Sequence, residues 1–132
     1  MKGTYILVIY MKKKTKINVG ALGSIHFKKG FYFYVGSAMG SSGSASLVNR
    51  VKRHISLDKN KKIHWHIDYL LENENSNIIK IILIPSAFRL ECMIAQELLD
   101  TSDSFIEDFG SSDCFCKSHL IYFNKIMDLS TK

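Results

Sequence analysis

The sequence has little of what marks a secreted or multi-domain protein. It contains one proline and three cysteines in 132 residues. A single proline argues against long extended connectors, and we expect one domain over residues 1–132. The cysteines are odd in number and too few for a disulfide framework, which fits a reducing compartment. The sequence therefore predicts a cytoplasmic protein.

Long apolar runs are also missing. The longest cover residues 5–11 and 78–85, whereas a membrane-spanning helix needs roughly 20 apolar residues. The first residues, Met-Lys-Gly-Thr-Tyr, do not have the layout of a signal peptide. We expect no membrane partner.

Arginine is scarce in a chain that is nevertheless basic. Lysine and arginine total 18 against 12 acidic residues, a net charge of +6, and the only arginines are Arg50, Arg53 and Arg89. This charge favours a polyanion or an acidic surface as partner. The alternative is a solvated lysine surface, which charge alone favours.

The hydrophobic residues form short strand and helix patterns. The predicted strands cover residues 4–10, 16–19, 24–27, 31–35, 78–84 and 119–123. The predicted helices cover residues 45–55, 64–72 and 88–99. This order predicts an α+β (mixed α/β) fold, with a small central, mostly antiparallel sheet flanked by helices.

Two of the predicted helices carry polar residues beside or within their apolar stripes. Arg50 and His54 are four residues apart and flank the stripe of the first helix, so they either line a cleft or belong to a solvated basic face. Glu91 falls within the stripe of the third helix, where a carboxylate is unfavourable unless it is paired or binds a cation. It either pairs with a buried arginine or acts in metal or acid–base chemistry.

These residues complete an ordered set of short motifs. Gly3-Thr4-Tyr5 lies on the first strand, Tyr34-Val35-Gly36 ends a later strand, and Arg50, His54 and Glu91 follow. The set resembles the GIY-YIG nuclease signature over residues 3–98. An additional hairpin is expected over about residues 12–29, because the two tyrosines are further apart than is usual in that family.

A closer resemblance spans nearly the whole chain. It is to a group of mostly archaeal proteins related to GIY-YIG nucleases, some of them fused to base-excision-repair endonucleases. The residues that carry it are Gly3 to Leu7, Tyr34 to Ala38, Arg53-His54, His64 to Leu71, Leu90 to Cys92, Phe109 to Cys114, Cys116, Ser118 and His119.

The resemblance implies a metal-dependent endonuclease that hydrolyses DNA, with repair or recombination as its expected setting. Tyr5 would be the general base, and Arg50 would lower the pKa of its phenol and bind the phosphate. Tyr34 would orient the nucleophile. His54 and His64 would assist proton transfer or hold the phosphate.

The same resemblance implies a metal ion and further contacts with DNA. Glu91 would bind one Mg²⁺ or Mn²⁺. Ser37, Lys52 and Arg53 are the expected additional nucleic-acid contacts. Recognition would depend on DNA structure rather than on sequence, because lysines contact phosphates without reading bases. The alternative functions are a nucleic-acid-binding module with weak or no catalysis, and a zinc-binding structural or interaction protein.

Five soft or borderline ligands in two short clusters are not explained by a nuclease. They are His64, His66, Cys114, Cys116 and His119. These residues indicate either a zinc site, although their spacing differs from the usual spacing of zinc ligands, or a packed loop in which the cysteines act as small hydrophobic residues. A Cys114–Cys116 redox pair is a further alternative, which the geometry of such near neighbours disfavours.

Three packing expectations complete the set. Cys92 and Trp65 are expected in the core. The strand over residues 31–35 should turn Tyr32 and Tyr34 to one sheet face, which could meet nucleic acid, and Phe33 to the other face, which should be core.

Overall fold

A computed structural model describes residues 1–56, 65–110 and 116–125. His64 and Cys114 lie outside the described residues, so the predictions that involve them stay predictions. The strands are β1 (Gly3–Met11), β2 (Thr15–Asn18), β3 (Ser24–Phe27), β4 (Gly30–Ala38), β5 (Ser76–Pro85), β6 (Ser104–Phe105) and β7 (Leu120–Phe123). The helices are α1 (Leu47–Ile55), α2 (His66–Leu71) and α3 (Glu91–Thr101).

The strands form a five-stranded sheet and a separate hairpin. The sheet has the order β5-β1-β4-β7-β6, and its pairings are antiparallel. β2 and β3 form the hairpin that was expected over about residues 12–29. The predicted α+β class with a mostly antiparallel sheet is therefore confirmed. The two-residue β6 was not predicted, because it is too short to show a period.

β1 is buried on both faces, which explains why its sequence is continuously apolar. Tyr5, Leu7 and Ile9 face the larger core, which contains residues of α1, α2 and the hairpin. Ile6 and Val8 face a smaller core, which contains residues of α3. β1 pairs along its whole length with β4, from Gly3 opposite Ala38 to Met11 opposite Gly30.

The expectation that the tyrosine face of β4 could meet nucleic acid is wrong, whereas the other face does pack in a core, as predicted. Tyr32 and Tyr34 are 1% and 8% exposed and belong to the larger core, whereas Phe33 is only partly buried against the smaller one. A period of two separates the faces of a strand, but it does not say whether helices cover one face or both. The tyrosine face is therefore closed by packing and is not a free surface for nucleic acid.

The observed start of α3 changes the predicted environment of one site residue. α1 begins at Leu47 because the Ser46 hydroxyl caps it and accepts a hydrogen bond from the Asn49 amide at 3.4 Å. α3 begins at Glu91 rather than at Phe88, so Glu91 lies in the first helical turn and not within a buried stripe. In the part of the chain that is described, no helix is both long and apolar enough to cross a membrane.

Candidate active site

A hydrogen bond joins the first strand to the first helix. The Tyr5 hydroxyl lies 2.7 Å from Nε2 of His54, and each residue is 2% exposed. β1 turns Tyr5 towards the larger core, and the last turn of α1 brings His54 onto it. Two residues that are 49 positions apart in the chain thus form one buried polar pair.

Tyr34 and two glycines complete the tyrosine cluster. The Tyr34 ring centroid lies 6.3 Å from that of Tyr5 and 6.2 Å from that of His54. A Cβ atom at Gly36 would overlap the Tyr5 ring, and one at Gly3 would overlap the Ile84 carbonyl oxygen. These two positions of the motifs therefore need glycine because neighbouring atoms approach the backbone closely.

The expectation that the pKa of Tyr5 is depressed overall is wrong. The pKa is raised well above its ordinary value of 10.0, first by burial and then by Tyr34. Arg50 lowers this pKa, as predicted, but burial outweighs it. The pKa of Tyr34 is raised as well, again mainly by burial. Both phenols therefore keep their protons at neutral pH.

Arg50 is held at the edge of this cluster. Its Nη1 donates to the Ser37 carbonyl oxygen at 2.7 Å, and its guanidinium carbon lies 5.0 Å from the centre of the Trp65 ring. Its Nε is buried and makes no hydrogen bond within the described residues. The predicted phosphate contact Ser37 thus orients Arg50 through its backbone.

Arg53 has a structural partner that the sequence did not reveal. It forms a two-point ion pair with the fully buried Asp68, at 2.9 and 3.0 Å, and its guanidinium carbon lies 4.6 Å from the Trp65 ring centre. Trp65 is half-buried between the two arginines rather than enclosed in the core. Of the three cations of α1 that were predicted to contact DNA, only Lys52 is exposed.

Glu91 lies at the start of α3, and two basic side chains lie next to its carboxylate. Its Oε1 is 3.6 Å from Nη1 of Arg89, and its Oε2 is 4.0 Å from Nδ1 of His119. Its side chain is 17% exposed, whereas that of Arg89 is 67% exposed, so the pair is not a buried salt bridge. The Glu91 carboxylate raises the pKa of both Tyr5 and Tyr34, which indicates that its charge acts on the tyrosine cluster.

The cysteines pair differently from either expectation. A disulfide joins Cys92 to Cys116, so the partner of Cys116 is not its near neighbour Cys114, as the geometry of that pair indicated. Cys92 is half-buried and belongs to neither core cluster, so its assignment to the core is wrong. His119 is 3% exposed, and its Nε2 lies 3.8 Å from the Cys92 sulfur atom. Burial lowers the pKa of His119, whereas Glu91 acts to raise it.

His66 does not join this group. Its Nδ1 accepts a hydrogen bond from the Gly110 amide at 2.9 Å, and burial lowers the pKa of its imidazole. His66 therefore has a structural role in holding the backbone at Gly110. The part of the predicted zinc set that the structure brings together is Cys116 and His119, with Cys92 added to it.

The structure thus brings four predicted catalytic residues into one cluster, with Glu91 electrostatically coupled to it. They are Tyr5, Tyr34, Arg50 and His54. Sequence reasoning missed Asp68 and the contribution of Cys92. The signal that could have indicated Cys92 is its position next to Glu91, in a chain with only three cysteines.

Comparison with known families identifies the chain. The family model of the domain of unknown function DUF123 matches residues 4–132, and the chain belongs to this family. No curated protein and no solved structure matches it.

Proposed function

We propose that this protein is a metal-dependent endonuclease that hydrolyses phosphodiester bonds of DNA by a GIY-YIG-type mechanism. The observation that carries the proposal is the 2.7 Å hydrogen bond between the Tyr5 hydroxyl and Nε2 of His54, beside Arg50. A hydroxyl bonded to an imidazole is an acid–base pair, and a fixed guanidinium is a phosphate ligand.

The pair supports a proton relay rather than a phenolate base. Because burial raises the pKa of Tyr5, its phenol is neutral before reaction. The neutral phenol donates to His54 Nε2 and keeps a lone pair for a water molecule. When that water attacks phosphorus, the Tyr5 oxygen takes its proton while passing its own to His54. General base catalysis of this kind contributes about 10²–10⁴-fold to a rate.

Arg50 supports binding of the phosphate. One of its nitrogen atoms is engaged by the Ser37 carbonyl oxygen and fixes the guanidinium plane. Its buried Nε has no hydrogen-bond partner among the described residues, and a phosphate oxygen would satisfy this donor. Guanidinium groups bind phosphate through parallel hydrogen bonds, and their charge does not depend on pH in the working range.

Glu91 is the residue that would hold Mg²⁺ or Mn²⁺. A single, partly exposed carboxylate suits Mg²⁺, which keeps most of its waters and binds through one or two carboxylates. Arg89 does not block the site, because its side chain is 67% exposed and can turn to solvent. When bound, the ion would neutralise negative charge on the leaving oxygen.

The net charge of +6 supports a nucleic-acid substrate. The lysines supply attraction without sequence preference, so a branched, nicked or damaged DNA is a better substrate class than a defined sequence. We place this activity in the cytoplasm, where thiols are reduced.

A nicking assay tests the proposal. Wild-type protein should cleave plasmid, branched or apurinic DNA with Mg²⁺ or Mn²⁺, and Tyr5→Phe should lose about 10²–10⁴-fold in rate. The matched control is Tyr10→Phe, which removes a half-buried hydroxyl from the same strand. Glu91→Ala should abolish cleavage, whereas Glu97→Ala on the exposed face of α3 should not.

Two results would contradict the proposal. Equal cleavage by Glu91→Ala and wild type would remove Glu91 from the mechanism. Salt-sensitive DNA binding without cleavage of any substrate would make the protein a binding module instead.

A further inference from the structure

Three side chains that are common zinc ligands meet at the start of α3, one from the helix itself and two from the connection that leads into β7. They are Cys92 on the helix, Cys116 in the following connection and His119 just before β7, and their ligand atoms lie within 4.8 Å of one another. We propose that the reduced protein binds one Zn²⁺ ion through these three residues. Its three ligands differ from Glu91, the proposed Mg²⁺ or Mn²⁺ ligand, although Glu91 also faces His119.

The distance between the Cys92 sulfur atom and the His119 imidazole suits a tetrahedral ion. Zinc–sulfur bonds of about 2.3 Å and zinc–nitrogen bonds of about 2.0–2.1 Å place the two ligand atoms about 3.6 Å apart. The observed distance between the Cys92 sulfur atom and Nε2 of His119 is 3.8 Å.

The surroundings of His119 also fit a metal ligand. Its Nδ1 faces a carboxylate oxygen of Glu91 at 4.0 Å, which leaves Nε2 directed at the sulfur atoms. A carboxylate behind a histidine is the usual arrangement that orients a zinc-binding imidazole. The backbone on both sides is fixed, since the His119 amide donates to the Phe109 carbonyl oxygen at 2.8 Å and its carbonyl accepts from Val35 at 2.9 Å. The ring is therefore pre-oriented.

The position of Cys92 favours a negatively charged ligand. It is the second residue of α3, and the N-terminal end of a helix carries partial positive charge that stabilises an anion. Zinc binds cysteine as the thiolate. Cys116 and His119 are separated by two residues, so a single connection brings both of them to the helix.

The disulfide and the metal site are alternative states of the same sulfur atoms. A phosphine reductant gives two electrons to the Cys92–Cys116 disulfide, and one water molecule supplies the two protons of the resulting thiols and the oxygen of the phosphine oxide. Zn²⁺ then replaces the two thiol protons, which are released to solvent. The reduced state is the one expected in a reducing compartment.

Metal content measured under reducing conditions tests the site. Wild-type protein in phosphine reductant should contain one Zn²⁺ per chain by elemental analysis. Substitution of Zn²⁺ by Co²⁺ should give a thiolate-to-cobalt charge-transfer band and the visible spectrum of a tetrahedral ion. These wild-type measurements do not depend on the folding of any variant.

Variants identify the ligands. Cys92→Ser and His119→Ala should lose stoichiometric zinc, whereas His26→Ala, which changes an exposed histidine on β3, should retain it. Glu91→Ala should keep the stoichiometry but lower zinc affinity about 10- to 100-fold, and Glu97→Ala should leave the affinity unchanged. Wild-type zinc content in Cys92→Ser, or fully reduced wild-type protein that binds no zinc, would overturn the proposal.

Discussion

The hydrogen bond between Tyr5 and His54 makes a prediction that is independent of any activity. Tyr5→Phe removes the hydroxyl and leaves the ring, so packing in the core is retained. His54 Nε2, in a residue that is 2% exposed, loses the partner that lies 2.7 Å away. Leaving a buried polar group without its partner destabilises a protein by about 1–3 kcal/mol. We expect a loss of stability in this range, measured by urea denaturation at neutral pH.

A double-mutant cycle separates this bond from other effects of the substitution. His54→Phe removes the ring nitrogens, and in that background Tyr5→Phe should have a much smaller effect. We expect a coupling free energy of about 1–2 kcal/mol. The matched control is Tyr32→Phe, because Tyr32 is equally buried but donates to the Lys28 carbonyl oxygen at 3.0 Å. Its coupling to His54→Phe should stay within about 0.5 kcal/mol.

The reasoning is refuted if Tyr5 and Tyr32 behave alike in this cycle. Additive effects of Tyr5→Phe and His54→Phe would mean that the hydroxyl and the imidazole do not share a hydrogen bond in solution. The proton relay of the proposed nuclease would then lose its basis, even if Tyr5→Phe slowed cleavage.

Three further predictions concern alkaline stability, a glycine and an ion pair. An unfolded tyrosine ionises near pH 10, whereas burial keeps Tyr34 protonated. Folding stability should therefore fall above about pH 10, and Tyr34→Phe should reduce the slope by about 1.4 kcal/mol per pH unit in urea titrations at successive pH values. Gly36→Ala would place a methyl group against the Tyr5 ring. It should lower the free energy of unfolding by about 1–3 kcal/mol, and an unchanged melting temperature would contradict this prediction. Asp68→Asn should lower the free energy of unfolding by about 2–3 kcal/mol, measured by urea denaturation. This is less than for a fully buried pair, because the Arg53 side chain is 27% exposed. A change of less than about 0.5 kcal/mol, the size of an ordinary surface substitution, would contradict the prediction.

Local patterns were enough to predict the elements and part of the candidate site. β1 and β4 follow from runs of β-branched and aromatic residues, and their antiparallel pairing brings Gly3-Thr4-Tyr5 opposite Gly36-Ser37-Ala38. The spacing of Arg50 and His54 follows from helical geometry. The strands themselves and the four-residue helical spacing depend only on residues that are close in sequence, whereas the pairing of β1 with β4 passes over the hairpin of β2 and β3.

Other properties depend on tertiary packing, which a single sequence does not encode locally. The ion pair of Arg53 with Asp68 joins two helices across a connection, and no local pattern selects Asp68 over another acid. The pKa of Tyr5 depends on how deeply α1 covers it, so the sequence predicted the effect of Arg50 but not the larger effect of burial. The pairing of Cys92 with Cys116 spans 24 residues, whereas the sequence drew attention to the closely spaced cysteines.

Glu91 connects the two proposed sites, and this affects how its variants are interpreted. One carboxylate oxygen faces the exposed Arg89, and the other faces Nδ1 of His119. The oxygen that faces Arg89 would bind a hard metal ion such as Mg²⁺ when the Arg89 side chain turns to solvent. The other oxygen would still orient the His119 imidazole towards the sulfur atoms. Loss of cleavage in Glu91→Ala could therefore follow from the missing Mg²⁺ ligand or from a weakened zinc site. Cleavage measured at a zinc concentration that saturates the variant separates these causes, because a variant whose zinc site is full but whose activity is lost lacks only the hard-metal ligand.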